Sequence, residues 1–308
     1  MTDRGPAVEL EGDEVGVAVP ATSANLGAGF DSVAVALDIP LIAVVTAQQE
    51  RRIIAEGEGA DDLPSGDDNL VWQAFGAWCD QVGHEPPEVS ITVRSQIPLQ
   101  RGMGSSAAAA VAGVMLAAAV TSTAVTRRQI IDLVSGMEGH RDNAAAAVLG
   151  GLVVCTDDGE VARVTPSPAL RPIIIIPSDR VPTSEARAIL PTQVPLDLAA
   201  ANAASITSTV LGLAGQGPLR ASSMVDRLHE PTRLDVMPTS RALIEGLRAA
   251  GVPAVLSGAG PAVLAVVQAG EEATGRVRDV VGDVTSDSAS RVVPTSWDLA
   301  GAERCPPA

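Results

Sequence analysis

Residues 89–120 narrow what this chain can become more than any other stretch. Val89 to Ser95 alternates, with Val89, Ile91 and Val93 on one side, and reads as a strand. It delivers the chain to Ile97-Pro98-Leu99-Gln100-Arg101-Gly102-Met103-Gly104-Ser105-Ser106, and an Ala-rich run follows from Ala107 and Ala108 onward. Two glycines bracketing one residue, then two hydroxyls, then strong helix formers describe a loop closing on a helix N-terminus. Such a terminus carries unpaired N–H groups and about half a positive charge, so it holds anions. Glycine lets the backbone approach phosphate oxygens, while Ser105 or Ser106 offers a cap or a hydroxyl to a metal. The pattern reads as a nucleotide triphosphate cradle; the plainer alternative is a glycine turn capping a core helix.

The loop is not of the Walker type, which needs a Lys after its last Gly. All 21 basic residues among the 308 are Arg. That absence also removes Schiff-base catalysis and a lysine-bound pyridoxal group. A net charge of −16 argues against nucleic acid or an anionic membrane as partner. An anionic substrate must then be held by local Arg and by backbone donors.

The length suggests two closely associated domains. Hydrophobic content of 46% supplies a core, but aromatic content of 2% leaves it to be packed by Ala, Val, Leu and Ile. Residues 1–10 lack the apolar segment of a signal peptide, and the longest apolar run, 107–120, is short for a membrane span and reads as a buried helix. Cys79, Cys155 and Cys305 are an odd number without metal-ligand spacing, which predicts a reducing cytoplasm.

Taken in order, residues 15–19 form a short strand broken by Pro20-Ala21-Thr22-Ser23-Ala24-Asn25-Leu26-Gly27-Ala28-Gly29-Phe30-Asp31. Hydroxyls, an amide, two glycines and a carboxylate are more polar chemistry than a connecting turn requires, so Asn25 and Asp31 are candidates for a substrate amine or hydroxyl. Residues 32–46 read as strands of a mainly antiparallel sheet, 50–68 as a solvated acidic loop, and Asn69 as the opening of an amphipathic helix. Thr126 caps a second helix from Arg127 to about Met137. It runs into Glu138-Gly139-His140-Arg141-Asp142-Asn143, where two acids, an imidazole and an amide suit Mg²⁺ coordination and orientation of a hydroxyl nucleophile.

After a strand at 152–156, the Pro-rich 165–172 reads as a passage between domains and 173–176 as a buried strand. Arg180 or Arg187, in the segment that follows, can make a bidentate carboxylate contact. Residues 196–213 and 224–228 read as helical, and His229-Glu230-Pro231-Thr232-Arg233 closes that segment with a further candidate clamp. Residues 238–250 read as a helix, and 252–267 as two strands around Leu256-Ser257-Gly258-Ala259-Gly260-Pro261. The last residues, 301–308, read as a frayed tail.

These motifs occur in the order found in homoserine kinases, a branch of the GHMP small-molecule kinase superfamily, and the chain resembles that family over nearly its whole length. Residues 20–31 resemble its first motif, 98–108 its ATP loop, 138–143 its Glu-Gly-His-Pro-Asp-Asn segment and 256–261 its third motif. The Thr-Ser-x-Ala-Arg stretch ending at Arg187 narrows the resemblance to homoserine kinases. It implies an α+β fold with an N-terminal ribosomal-protein-S5-like α/β domain (1–165), a C-terminal ferredoxin-like domain (166–300) and a flexible tail (301–308). It also implies a homodimer, and transfer of the ATP γ-phosphoryl group to the side-chain hydroxyl of L-homoserine.

By the same resemblance, Asn25, Asp31, His140, Asp142, Arg187 and Arg233 surround the amino acid, residues 98–108 hold ATP, and Asn69 lies near adenine. Ser106 and Glu138 are first choice for Mg²⁺, with Asp132 the competitor; Asp142 or Asn143 orients the hydroxyl, and Arg187 assists. Departures are Arg141 for Pro, Ala144 for Val and Met103 for Leu. A sister kinase acting on another alcohol and a non-catalytic ligand sensor are the other readings.

Overall fold

The computed structural model describes residues 14–47, 51–179, 183–285 and 290–306. Its strands are β1 (Glu14–Ala24), β2 (Val33–Ala47), β3 (Arg52–Gly57), β4 (Val89–Ser95), β5 (Leu152–Cys155), β6 (Val161–Val164), β7 (Leu170–Ile176), β8 (Ala254–Leu256), β9 (Val263–Gln268), β10 (Arg291–Pro294) and β11 (Glu303–Cys305). The helices are α1 (Leu70–Val82), α2 (Ser105–Val120), α3 (Arg127–Glu138), α4 (Asp142–Leu149), α5 (Thr183–Ala188), α6 (Leu196–Leu213), α7 (Glu230–Asp235), α8 (Pro238–Ala249) and α9 (Glu271–Val284).

A seven-stranded sheet runs β11-β1-β2-β4-β3, with β5 on β2 and β6 on β5. A four-stranded antiparallel sheet runs β10-β7-β9-β8. The four consecutive isoleucines of β7 explain how the two share a core. Ile174 and Ile176 enter the large cluster under the first sheet, whereas Ile173 and Ile175 pack with Leu243, Ile244 and Leu247 of α8 on the other face. A strand covered on both faces reads as a continuous apolar run, which is what residues 173–176 are.

Helix α2 has no polar face because it is buried almost all round among α1, α3, α4 and β1. Its Gly113 sits where a Cβ would lie 2.2 Å from the Val71 carbonyl, so the crossing with α1 is set by the missing side chain. The aromatic residues Trp72, Phe75 and Trp78 fill the core on α1.

Four expectations are corrected. Residues 50–68 are not all loop: β3 lies parallel to β4, and Ile53 is buried there. Its two isoleucines are too few to register as a strand beside so many acids. Residues 225–228 are not helical; a 3-10 turn, Ala221–Met224, is followed by α7 from Glu230. Residues 229–233, read as closing that segment, instead open α7, with Pro231 in its first turn, where its missing N–H costs nothing. Within the expected tail at 301–308, Glu303–Cys305 instead form β11 on the edge of β1, with Cys305 opposite Gly16. Residues 296–298 likewise cross to the first sheet, through Trp297 beside Leu37. Arg180 lies outside the described residues.

Candidate active site

The phosphate loop is closed by groups distant in sequence. Gly102 and Gly104 both adopt positive φ, 70° and 68°. A Cβ on Gly102 would sit 2.0 Å from the Ser257 carbonyl, and one on Gly104 only 1.9 Å from Thr22 Oγ1. The Ser257 hydroxyl donates to the Gly102 carbonyl (2.7 Å) and meets the Ser23 hydroxyl at 2.9 Å. The Thr22 N–H donates to the Met103 carbonyl at 3.1 Å. Arg101 turns away to donate to the Ser178 carbonyl at 2.7 Å.

Gly104 caps α2 without a side chain. Since Ala108 already donates to the Gly104 carbonyl, the N–H groups of Ser105, Ser106 and Ala107 have no partner within the helix and are available to an anion. They border a cavity of about 450 Å³ lined by Gln100, Met103, Ser106, Glu138, His140, Asn143 and Arg187, among others. A second cavity of about 290 Å³ shares Leu70, Gln100, Ser105 and Ser106 with it and continues between Leu63, Pro64, Asn69, Val93 and Leu99. Pro98 lines neither; it faces the cleft between the sheets.

Glu138 ends α3 above the α2 N-terminus. Burial raises its carboxyl above the usual range, opposed by a hydrogen bond from the Ser106 hydroxyl. Its Oε2 is buried without a hydrogen-bond partner. An orphaned acceptor beside a hydroxyl is a natural place for a cation. Asp132, by contrast, is half exposed and already holds Arg141 at 2.6 Å and Arg128 at 3.6 Å.

At the start of α4, Asp142 is buried; its Oδ1 meets His140 Nδ1 at 3.1 Å and accepts from the Asn143 N–H at 2.8 Å. That bond raises the His140 pKa above the ordinary imidazole value. Asn143 Oδ1 accepts from Thr22 Oγ1 at 2.6 Å, its NH₂ donates to Asp142 Oδ1 at 3.4 Å, and the residue lines the cavity.

On the opposite wall, Arg187 of α5 donates to both oxygens of Asp31, at 2.8 and 2.9 Å, and lies 5.5 Å from the centroid of Phe30. Arg233 of α7 is 2% exposed and lies 5.6 Å from the same ring. Burial pulls its guanidinium down to about 10. Asn25 and Asn69 spend their amides on the fold. Asn25 donates to the Gly258 carbonyl and accepts from the Asp31 N–H, and Asn69 caps α1 and donates to the Pro64 carbonyl. Asn25 (φ 68°), Leu26 (φ 44°), Asp31 (φ 53°) and Gln100 (φ 54°) all carry left-handed backbone in the two loops around the cavity, where such strain tends to mark function.

Sequence reading singled out the cavity's ionisable residues but not Thr22, which holds Asn143, Ser257, which holds the Gly102 carbonyl, or Phe30 and His229, which lie against Arg233. Their one signal was membership of polar loops already marked as motifs.

Residues 69–151 match the GHMP kinases N terminal domain and residues 213–282 the GHMP kinases C terminal domain. The homoserine kinase of Streptomyces coelicolor is 39% identical over 272 residues, spanning 86% of this chain and 87% of that protein. The Thermus thermophilus homoserine kinase is 41% identical over 259 residues, spanning 83% and 87%. The crystal structure of homoserine kinase from Cytophaga hutchinsonii superposes with a TM-score of 0.83 at 26% identity, covering 96% of this chain and 99% of that one. The Methanococcus jannaschii mevalonate kinase shares the fold, with a TM-score of 0.67 at 16% identity and coverage of 93% and 99%. The chain belongs to the GHMP kinase family, in its homoserine kinase branch.

Proposed function

We propose that this chain transfers the γ-phosphoryl group of ATP to the side-chain hydroxyl of L-homoserine. The observation that carries the reading is one cavity bounded by the α2 N-terminus, the orphaned Glu138 carboxylate and the His140, Asn143 and Arg187 side chains. The base lies in the more apolar 290 Å³ cavity beside Leu63, Pro64, Leu70, Val93 and Leu99, and the N–H groups of 101–107 take the phosphates.

The donor set fits Mg²⁺, because Oε2 of Glu138 lacks a partner and the Ser106 hydroxyl is adjacent. Ser106 and Glu138 would hold it, and it would neutralise charge on the transferring phosphoryl group. Asp31 takes the substrate ammonium, and Arg187 with Arg233 the carboxylate. Arg187 must leave Asp31 in part for this, since both groups are spent on each other without ligand. The hydroxyl is oriented between Asp142 and the Asn143 NH₂: Asp142 Oδ2 has no hydrogen bond among the described residues and is the proton acceptor, while Asn143 donates. A loose phosphoryl-transfer transition state asks for positioning more than for a strong base, in keeping with a site that has no Lys.

The enzyme acts as a homodimer in the cytoplasm. Exposed Ile189, Val194, Leu196 and Leu198 offer an apolar surface for a second copy. All three cysteines are free thiols, and burial pushes Cys79 up to about 11 and Cys155 up to about 12. Helix α6 is long and apolar enough to cross a membrane by length and composition. Its Asn202, Ser205 and Thr209 are instead hydrogen-bonded to Ala28, Arg227 and Ser223 within the fold.

The test is ADP release with ATP and Mg²⁺, comparing L-homoserine with L-serine, L-threonine and mevalonate. Turnover confined to homoserine is expected. Turnover with mevalonate alone would move the chain to a sister activity, and none with any of them despite ATP binding would support a sensor.

A further inference from the structure

Arg233 is a buried cation without an anion. Among the described residues no carboxylate lies within ion-pair distance of it. Its Nε donates to the Ala186 carbonyl (3.2 Å), and one terminal nitrogen reaches the Gly258 carbonyl (3.3 Å) and His229 Nδ1 (3.0 Å). A guanidinium only donates, so Nδ1 of His229 is an acceptor and the imidazole proton sits on Nε2. That N–H then donates to the Gly27 carbonyl at 2.9 Å. Both nitrogens of a ring that is 1% exposed are therefore assigned by their neighbours.

The backbone around the ring is fixed as firmly. Asp226 Oδ2 accepts from the N–H groups of Leu228 (3.1 Å), His229 (2.8 Å) and Glu230 (2.6 Å), which seats the first turn of α7. The ring stacks at a tilt on Phe30, 5.2 Å between centroids, and Phe30 is the ring beneath both Arg187 and Arg233. One imidazole thus ties the loop carrying Asn25, Phe30 and Asp31 to the guanidinium of Arg233.

We propose that His229, as the neutral Nε2–H tautomer, is a positioning residue for substrate carboxylate: it aims Arg233 without neutralising it and couples it to the Gly27–Asp31 loop. The inference rests on the reading that Arg233 receives the amino acid's carboxylate. A carboxylate in place of His229 would form a permanent ion pair and cancel the charge the substrate needs. A neutral acceptor with a donor at its far end orients the fork and leaves its charge unspent. The Asp226 carboxylate, 3.7 Å from Nε2, favours the charged ring, but burial, with the Arg233 charge beside it, outweighs that and holds the imidazole pKa below its ordinary value, while the Arg233 N–H on Nδ1 keeps that nitrogen an acceptor.

The chain has only three histidines, so long-range ¹⁵N correlation spectra of the wild-type protein can be assigned with His84→Gln and His140→Gln variants. His229 should show a protonated Nε2 and an unprotonated Nδ1 at pH 7; an imidazolium or the Nδ1–H tautomer overturns the proposal. Kinetics supply the functional arm. His229→Leu should raise KM for homoserine roughly 10- to 100-fold, the range for losing a hydrogen bond to a charged group, with kcat and KM for ATP little changed. His229→Gln, whose amide can both accept from Arg233 and donate to Gly27, should restore most of the loss. A general structural role would instead lower kcat and both KM values together, and Gln would not rescue. If Arg233→Met raises KM for homoserine while His229→Leu does not, the coupling is wrong and the carboxylate reading stands. If neither variant changes it, the carboxylate reading falls and the inference with it.

Discussion

On the phosphate side of the cavity, the groups that face the ligand are backbone N–H and neutral hydroxyls braced by Thr22, Ser23 and Ser257; on the amino-acid side, side-chain charges hold one another. The first side is complete without ligand, since each glycine is wedged against a distant backbone or hydroxyl. The second stores its charges as the Asp31–Arg187 pair and the anion-free Arg233. The difference teaches where ligand binding has to rearrange contacts. On the proposed reading, phosphate would meet a preformed cradle, while a zwitterion would exchange into an existing ion pair and supply the carboxylate that Arg233 lacks.

Glu138 brings a carboxylate to the phosphate side, so Glu138→Gln is the sharpest way to break the comparison. Turnover should fall on the order of 10²-fold or more, the scale of losing one transition-state charge partner. The unliganded protein should meanwhile gain stability. Burial raises the Glu138 pKa, so its contribution to stability is present below the ordinary carboxylate value and is lost as pH rises through the folded value. At pH 7 the ionised form is a cost, and the neutral amide removes it. Thermal melts should rise by roughly 2–4 °C per kcal/mol recovered. A variant that loses activity and stability together would show that Glu138 is structural.

The two arginines test the other side. Arg233→Met should weaken homoserine binding by about 2–5 kcal/mol, because a buried charge contact is removed. Arg187 is 44% exposed at its side chain and already paired, so Arg187→Ala should cost only about 1 kcal/mol in homoserine affinity. Titration calorimetry with homoserine, and separately with an ATP analogue, distinguishes them. Equal losses would mean that Arg187 is buried by the bound substrate.

His140 gives a smaller effect with a pH signature. Its pKa is raised, chiefly by the hydrogen bond to Asp142. The pair therefore stabilises the fold fully below about pH 6.5, the ordinary imidazole value, and loses that contribution as pH rises through the folded value. The melting advantage of wild type over His140→Gln should be a few degrees at pH 6, by about 2–4 °C per kcal/mol, and should shrink toward pH 9. A constant gap would mean that His140 is neutral throughout.

The phosphate side was legible in the sequence because it is local: a strand, two glycines, two hydroxyls and a helix lie consecutively, and each element formed where it was expected. The ionisable residues at 138–143 were legible for the same reason. What sequence reading could not supply was the assignment of partners across more than a hundred residues. Nothing near Thr22 says that it fixes the amide of Asn143, and nothing near His229 says that it meets Gly27. The same limit hid β3 and β11. An edge strand of ordinary polarity becomes a strand only because β4 or β1 offers it a ladder, and that is a tertiary fact.

Asp132 is the mildest test and bears on how far the phosphate side extends. It stood beside Glu138 as a metal ligand by sequence, one to two turns upstream on the same helix. In the fold its carboxylate faces Arg128 and Arg141 at a half-exposed position and does not line the cavity. Arg141, the departure at the family's usual Pro, is the ion-pair partner of Asp132. Asp132→Asn should leave kcat and the Mg²⁺ requirement within about twofold and lower stability by less than about 1 kcal/mol, as for other exposed pairs. A Mg²⁺ titration of turnover decides it: a large rise in the metal needed for half-maximal rate in this variant, with Glu138→Gln unaffected, would move the metal to the outer face of α3 and dissolve the boundary between the two sides.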